Sequence, residues 1–262
     1  MGQLGIYMKY LNKLIGSTFL LSCLLCNGIS YAGEVSVAVA GNFAKPLKVL
    51  VEKFESNTGQ KVAISVGSTG KLYAQIINGA PFEVFLASDQ KRPIKLVERN
   101  LAVKSSQFTY AKGKLVLWSK KIGGAELGEM FLSSTELKHL AIADPKMAPY
   151  GVQAIFALKN LGLYQQLKDK LIRAQNVGQA YQYLNSGSIE MGIIALSQVT
   201  ENGKINIGSA WIIPHSLYQP IQQDGVLLEK GKNNPVALLF LDYLKTPEAL
   251  QIIRSFGYEV DT

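Results

Sequence analysis

Short apolar runs alternate with longer amphipathic segments along most of the chain. The apolar runs, rich in valine, isoleucine, leucine and alanine, span residues 34–40, 61–67, 82–87, 114–119, 137–144 and 190–196. Segments with helical periodicity span residues 43–55, 71–78, 91–99, 152–160, 177–185, 235–245 and 247–256. Strands that alternate with helices in this way are typical of an α/β protein, and the pattern predicts mainly parallel sheets.

The first 32 residues follow a different pattern, which predicts a secretory signal peptide over residues 1–32. Two lysines precede the apolar run LIGSTFLLSCLLC, and Ser30 and Ala32 are the small residues expected before a cut at Gly33. The run is shorter than the ~20 residues that a membrane-spanning helix needs, which disfavours an uncleaved anchor. Lipoprotein processing at Cys23 is the alternative, and the apolar residues that follow Cys23 disfavour it.

Composition and charge narrow the class of protein. Hydrophobic residues make up 48% of the chain and charged residues 18%, which excludes wholesale disorder. The formal net charge is +8, but the lysines are scattered without the dense runs of a nucleic-acid surface. We therefore expect long-range attraction of anions and no nucleic-acid partner.

Metal-ligand and nucleophile signals are weak. Cys23 and Cys26 both fall inside the predicted signal peptide, so the exported chain is expected to have neither a disulfide nor a thiolate metal site. His139 and His215 are the only histidines and lie far apart in sequence, without clustered carboxylates. We therefore expect no direct cation ligands, no Ser–His triad and no cofactor.

Short polar or glycine-bearing turns lead into predicted helices at four places: Gly41-Asn42, Ser68-Thr69-Gly70, Tyr150-Gly151 and Asn176-Val177-Gly178. Each turn exposes backbone N–H groups that have no partner within the helix, at the positive end of the helix dipole. If the four turns converge, they form an anion site without a charged side chain. Ordinary helix capping is the alternative explanation for each turn taken alone.

Two further motifs point to other classes of protein. The segment GSTGK (67–71) does not fit a nucleotide-binding P-loop, because Ser65 stands where glycine is needed and Leu72 where serine or threonine is needed. Asp89 and Asp144 follow predicted strands and could serve an enzyme on a two-lobed scaffold. Capping or hydrogen bonds between segments are the expected roles of these carboxylates.

A set of motifs in order along the chain resembles the periplasmic molybdate-binding proteins of ABC importers. The resemblance covers most of residues 34–258 and rests on these segments: AGNF (40–43), GSTGKLYAQIINGAP (67–81), VFLASDQ (84–90), FTYAKGKLVLWS (108–119), IADPKMAPYG (142–151), NVGQAYQYLNSG (176–187) and MGIIALSQV (191–199).

The resemblance implies a type II periplasmic-binding-protein fold with the ligand in the cleft between two lobes. Each lobe would be a mostly parallel sheet flanked by helices, with lobe 1 over residues 33–111 plus 216–262 and lobe 2 over residues 112–215. The implied protein is a monomer in the periplasm that captures molybdate, and tungstate with it, for delivery to a membrane permease. It is not an enzyme. The alternative is a protein of the same fold that binds sulfate or another small anion.

The resemblance also implies the ligand-binding residues. Asn42 with Gly41 would hold the oxyanion from the first turn, and Thr69 with Ser68 from the second. The backbone amides of Tyr150 and Val177 would complete the site. This chain departs from many members of the family, which have serine at the position of Asn42, and from some that have tyrosine at the position of Ala195.

The chemistry of the ligand agrees with these turns. Molybdate is fully deprotonated at neutral pH, so it needs hydrogen-bond donors and no acceptor, whereas monohydrogen phosphate carries a proton that a carboxylate can receive. The four turns contain no aspartate or glutamate. Their composition favours molybdate, tungstate or sulfate over phosphate, and the choice of molybdate over sulfate rests on the resemblance.

Overall fold

The computed structural model describes residues 33–121, 128–134, 137–205 and 207–261. The predicted signal peptide and both cysteines lie outside the described residues. Among the helices of the described part, none is long and apolar enough to cross a membrane.

The described residues form strands β1 to β12 and helices α1 to α9, joined by short 3-10 turns. The strands are Glu34–Ala40 (β1), Lys61–Gly67 (β2), Val84–Leu86 (β3), Phe108–Gly113 (β4), Leu115–Ser119 (β5), Leu140–Ala143 (β6), Leu171–Ala174 (β7), Met191–Ala195 (β8), Thr200–Glu201 (β9), Lys204–Ile205 (β10), Ser209–Ile212 (β11) and Ile221–Leu227 (β12). The helices are Ala44–Thr58 (α1), Thr69–Ile77 (α2), Lys91–Glu98 (α3), Glu129–Leu132 (α4), Pro149–Asn160 (α5), Tyr164–Leu167 (α6), Val177–Asn185 (α7), Pro235–Tyr243 (α8) and Pro247–Ser255 (α9).

Two five-stranded sheets carry the fold. The first has the strand order β2-β1-β3-β12-β4 and the second has the order β11-β5-β8-β6-β7. In the first sheet β1 is parallel to β2 and β3, while β12 is antiparallel to β3 and β4. In the second sheet β6 is parallel to β7 and β8, while β5 is antiparallel to β8 and β11.

The α/β class predicted from the sequence is confirmed, but the sheets are mixed rather than mostly parallel. The antiparallel pairs involve the strands on which the chain passes between the sheets. Only Lys114 separates β4 in the first sheet from β5 in the second, and the chain returns between β11 and β12. The boundaries expected for the two lobes stay a prediction.

Packing of α1 shows how the first sheet positions a turn. Leu47, Leu50 and Phe54 lie three or four residues apart, so they form one face of the helix, and all three are fully buried. They pack in one core with β1, α8 and α9. The helix ends at Gly59, whose φ of 70° is the left-handed cap that glycine adopts easily. Burial of this face fixes the start of α1 beside the carboxyl end of β1.

Candidate anion-binding site

The first turn joins β1 to α1 through Gly41 and Asn42. The Gly41 N–H donates to the carbonyl of Gly67 at 3.0 Å, which ties this turn to the end of β2. Asn42 is a polar residue with only 1% of its surface exposed. A buried amide of this kind needs hydrogen-bond partners, and its contacts therefore define the site.

The second turn joins β2 to α2. Ser68 is the N-cap of α2, and its Oγ accepts a hydrogen bond from the Lys71 N–H at 3.3 Å. Thr69 begins the helix, and its Oγ1 lies 2.7 Å from Ser88 Oγ and accepts from the Ser88 N–H at 3.2 Å. Ser68 and Thr69 are both buried. Ser88 thus fixes the rotamer of Thr69, a predicted ligand-binding residue. The sequence motifs did not indicate this role for Ser88.

The third and fourth turns precede α5 and α7 in the second sheet. Helix α5 begins at Pro149, three residues before the predicted start, so Tyr150 lies within its first turn. Val177 is the first residue of α7, and Asn176 caps that helix through Oδ1, which accepts from the Gln179 N–H at 2.9 Å. The N-termini of both helices, with the positive end of their dipoles, therefore lie at the turns that follow β6 and β7.

A backbone hydrogen bond and a close approach of Gly41 to the Asn176 side chain bring the four turns together. The Gly70 N–H donates to the Met147 carbonyl at 2.9 Å, which joins the second turn to the third. A Cβ at Gly70 would lie 2.9 Å from that same oxygen, and a Cβ at Gly41 would lie 2.9 Å from Asn176 Oδ1 in the fourth turn. A side chain at either position would crowd these oxygens, so the two glycines let turns from the two sheets meet.

The backbone N–H groups at four of the predicted ligand-binding residues have no acceptor in the described part of the chain. Among the described residues, the structure gives no acceptor to the backbone N–H groups of Asn42, Thr69, Tyr150 and Val177. These four residues are at most 3% exposed. Buried N–H groups without a partner are costly, so donors gathered in this way indicate a site for an acceptor-rich ligand.

The carboxylates nearest in sequence to these turns have structural partners. Asp89 accepts from the Arg92 N–H at 3.0 Å and pairs with the Arg92 guanidinium. Asp144 accepts from the Lys146 N–H at 2.9 Å. These are the capping roles expected from the sequence, and they leave the donor set without an added negative charge.

A hydrogen-bond network behind Asn42 involves residues that sequence reasoning missed. Asn42 Nδ2 donates to Gln223 Oε1 at 2.7 Å and to the Tyr258 hydroxyl at 2.9 Å. The Asn42 carbonyl accepts from the Ser197 hydroxyl at 2.9 Å and from the Tyr258 hydroxyl at 3.0 Å. Ser197 lies two residues after Ala195, so the segment that follows β8 supports the first turn.

The tyrosines of this network remain protonated over the physiological range. Burial raises the pKa of Tyr258 from 10.0 to about 12. Burial, and then the neighbouring Tyr258, hold the pKa values of Tyr110 and Tyr150 well above their ordinary value. The hydroxyls are therefore neutral hydrogen-bonding groups that add no negative charge beside the donor set.

Two openings flank the four turns and differ in charge. A cavity of about 770 Å³ adjoins Gly70 and Met147, and its lining includes Lys91, Arg92, Lys95 and Lys146 with Asp89. A second, of about 400 Å³, adjoins Gly41 and Asn176 and has one lysine, Lys45, in its lining. The first opening presents the more positive approach to an anion. In the described part, no group of three or more His, Cys, Asp or Glu side chains could hold a metal ion.

The protein has two mixed sheets flanked by helices, with unpaired N–H donors at the turns. This combination is that of the extracytoplasmic solute-binding proteins. The family model for bacterial extracellular solute-binding proteins matches residues 35–259, and the chain belongs to that family. It is similar to the molybdate-binding protein ModA of Azotobacter vinelandii, with 50% identity over 227 residues that cover 87% of this chain and 90% of the relative.

A second relative and a solved structure agree with this assignment. ModA of Rhodobacter capsulatus is 48% identical over 227 residues, which cover 87% of this chain and 88% of that protein. The structure of the periplasmic molybdate-binding protein of Azotobacter vinelandii superposes with a TM-score of 0.83 and 39% identity, covering 87% of this chain and all of that one. The resemblance seen in the sequence motifs is thereby confirmed.

Proposed function

We propose that this protein is the solute-binding component of an ABC importer for molybdate, and that it also binds tungstate. The observation that carries the proposal is the set of buried backbone N–H groups at Asn42, Thr69, Tyr150 and Val177, which have no acceptor among the described residues. A tetrahedral dianion offers acceptors in several directions at once. The names of the relatives give the identity of that anion.

The ligand set follows the residues named from the sequence. The backbone amides of the four turns donate to the oxyanion, and the hydroxyls of Ser68 and Thr69 lie beside them. Gly41 contributes through the close approach that its missing side chain permits. The protein contributes binding and no catalysis, and it uses no cofactor.

Closure of the two lobes retains the anion. We assign lobe 1 to residues 33–111 plus 216–262 and lobe 2 to residues 112–215. In the open form the anion meets one pair of turns, and the contacts Gly70–Met147 and Gly41–Asn176 then bring in the other pair. Because closure adds donors that only the bound anion satisfies, the ligand stabilises the closed form. The closed complex, as a monomer, delivers its anion to a membrane permease.

Selectivity rests on the absence of a carboxylate from the four turns, which leaves the proton of monohydrogen phosphate without a charged acceptor. Asp89 and Asp144, the nearest carboxylates in sequence, accept capping bonds from Arg92 and Lys146. Sulfate lacks a proton but is smaller, and it leaves some donors poorly paired at a cost in affinity. Residues 1–32 act as the signal peptide that sends the protein to the periplasm.

Isothermal titration of the purified exported chain, Gly33 to Thr262, tests the proposal. We expect one-to-one binding of molybdate and tungstate at submicromolar concentration, with sulfate at least ~100-fold weaker and phosphate without measurable heat. Heat from sulfate alone, with none from molybdate, would keep the fold and overturn the ligand. No heat from any of the four anions would overturn the anion site itself.

A further inference from the structure

Gln223 occupies the centre of the network behind the first turn. It is fully buried on β12, where the pairing with β4 shifts register between Gln223 and Asp224. Its Oε1 accepts from Asn42 Nδ2 at 2.7 Å and from the Tyr110 hydroxyl at 3.0 Å. Its Nε2 donates to the Tyr150 hydroxyl at 3.0 Å. One side-chain amide therefore contacts predicted ligand residues of both sheets.

In this arrangement two buried polar groups are not properly satisfied by hydrogen bonds. Asn42 Oδ1 is buried and has no hydrogen-bond partner among the described residues. The Tyr110 hydroxyl faces two acceptors, Gln223 Oε1 and the Ala87 carbonyl, each at 3.0 Å, but has only one hydrogen to donate. Buried polar groups are normally satisfied, so both features call for an explanation.

Turning the Asn42 and Gln223 amides together by 180° gives Asn42 Oδ1 partners and leaves the Tyr110 hydroxyl one acceptor, and it transfers the lack of a partner to Asn42 Nδ2, a donor. Gln223 Nε2 then donates to Asn42 Oδ1 and to the Tyr110 hydroxyl oxygen, and the Tyr110 hydroxyl donates to Ala87. The Tyr150 hydroxyl donates to Gln223 Oε1. The Tyr258 hydroxyl donates to Asn42 Oδ1, and Asn42 Nδ2 takes the position that the unpartnered oxygen held.

The two amides can reverse only as a pair. If Asn42 turned alone, its Oδ1 would face Gln223 Oε1 across the present 2.7 Å contact, with no hydrogen between the two acceptors. The orientation of Gln223 thus decides whether the Asn42 amide presents an oxygen or an NH2 group from the first turn. An oxyanion is repelled by the first and bound by the second.

We propose that Gln223 is a positioning residue, which orients the Asn42 side-chain amide so that Nδ2 donates to the bound oxyanion. The proposal rests on the proposed function, because it concerns the same site. Gln223 does not touch the anion and acts through Asn42. Its second contact is with the Tyr150 hydroxyl, which donates to Gln223 Oε1 in the reversed orientation. This partner is available when the third turn is in place, so the orientation of the Asn42 donor is coupled to closure of the lobes.

A double-mutant cycle in molybdate titrations tests this proposal. Gln223→Met keeps the length of the side chain but removes its polar atoms, so we expect the Kd to rise ~10- to 100-fold, the usual weight of one oriented donor to a charged group. In the Asn42→Ala background the same change should have less than a ~2-fold effect, because there is no amide left to orient. Gln222→Met, on the same strand but partly exposed, is the matched control and should bind as the wild type does.

The outcomes separate the two levels of the proposal. If wild-type protein fails to bind molybdate, the proposed function fails and the positioning role, which concerns the same site, fails with it. If wild-type protein binds and the two effects are additive, Gln223 has only a structural role and the positioning proposal is wrong. Thermal unfolding without molybdate checks that each variant is folded.

A measurement on the wild type does not depend on the folding of any variant. In ¹⁵N NMR spectra, the side-chain NH2 signals of both Asn42 and Gln223 should shift on addition of molybdate, because both amides exchange their partners. A shift of the Asn42 signal with an unchanged Gln223 signal would contradict the paired reversal.

Discussion

The two sides of the proposed anion site differ in chemistry. The turns of the first sheet add buried polar side chains, those of Asn42, Ser68 and Thr69, to their backbone N–H groups. The turns of the second sheet offer the backbone N–H groups of Tyr150 and Val177, at the starts of α5 and α7. One side therefore depends on residue identity and the other on the placement of helices.

This difference assigns discrimination between anions to the first side and general attraction of anions to the second. Side-chain donors can be arranged for one anion and not another, since each has a set direction fixed by its partners. Helix N-termini attract any anion through their dipole and free N–H groups. We therefore expect substitutions of side chains to matter mainly on the first side. On the second side only changes that remove an N–H or move a helix should matter.

Asn42→Asp should have the largest effect. The change keeps the shape of the side chain but removes the NH2 group and introduces a buried carboxylate beside the bound dianion. Close like charges cost several kcal/mol, so the Kd for molybdate should rise ~1,000-fold or more. Isothermal titration at pH 8 measures this.

Asn233→Asp is the matched control for this change. It makes the same substitution at an exposed position before α8. Its Kd should stay within ~2-fold of the wild-type value, since an exposed charge is screened by solvent and salt. If Asn42→Asp also bound within that range, the first side would not depend on its side chains, and the distinction between the two sides would be lost.

Val177→Pro tests the second side by removing one backbone donor. Val177 is the first residue of α7, where proline is well tolerated because the N–H has no helical partner. The preceding Asn176 is extended (φ −152°, ψ 171°), a conformation compatible with a following proline. The variant should therefore fold, and the Kd should rise ~10- to 100-fold through the loss of one donor to a charged ligand.

Val177→Ala is the control for that variant, because it keeps the N–H. Only 3% of Val177 is exposed, so loss of its two methyl groups should lower the free energy of unfolding by ~1–2 kcal/mol. The Kd should change less than ~3-fold. Equal affinity losses for the alanine and proline variants would mean that the valine side chain, rather than its amide, shapes the site.

Much of the framework could be predicted from local sequence. Strands β1 and β2 match the predicted residues 34–40 and 61–67, because both are β-rich runs that end at a turn. Strand β12 was not predicted, since its sequence IQQDGVL reads as polar. Its Asp224 is nevertheless buried, and Thr109, Gln107 and Gln90 donate hydrogen bonds to its carboxylate. These partners lie more than a hundred residues away in sequence, beyond any local pattern.

The candidate site also has parts that local sequence predicts and parts that it does not. The turns themselves were visible because N-cap residues and glycines have a local signature. The supporting network was not, because Gln223 and Tyr258 are 181 and 216 residues from Asn42. Local patterns thus indicate where the backbone donors lie, while the residues that orient the side chains become visible only after folding.

Alkaline unfolding gives the smallest effect, and it tests whether the hydroxyl network supports the first side. The folded protein holds the pKa of Tyr258 at about 12, against 10.0 for an ordinary tyrosine. Above pH 10 the unfolded chain loses this proton while the folded protein keeps it, so the stabilisation is present below pH 10 and is lost as the pH rises toward 12. One such tyrosine lowers the free energy of unfolding by about 1.4 kcal/mol per pH unit in that window.

Denaturant titrations at pH 9, 10 and 11, on wild type and Tyr258→Phe, should show a shallower decline in the variant by about this amount. Parallel declines would mean that the Tyr258 hydroxyl titrates alike in both states and does not brace Asn42.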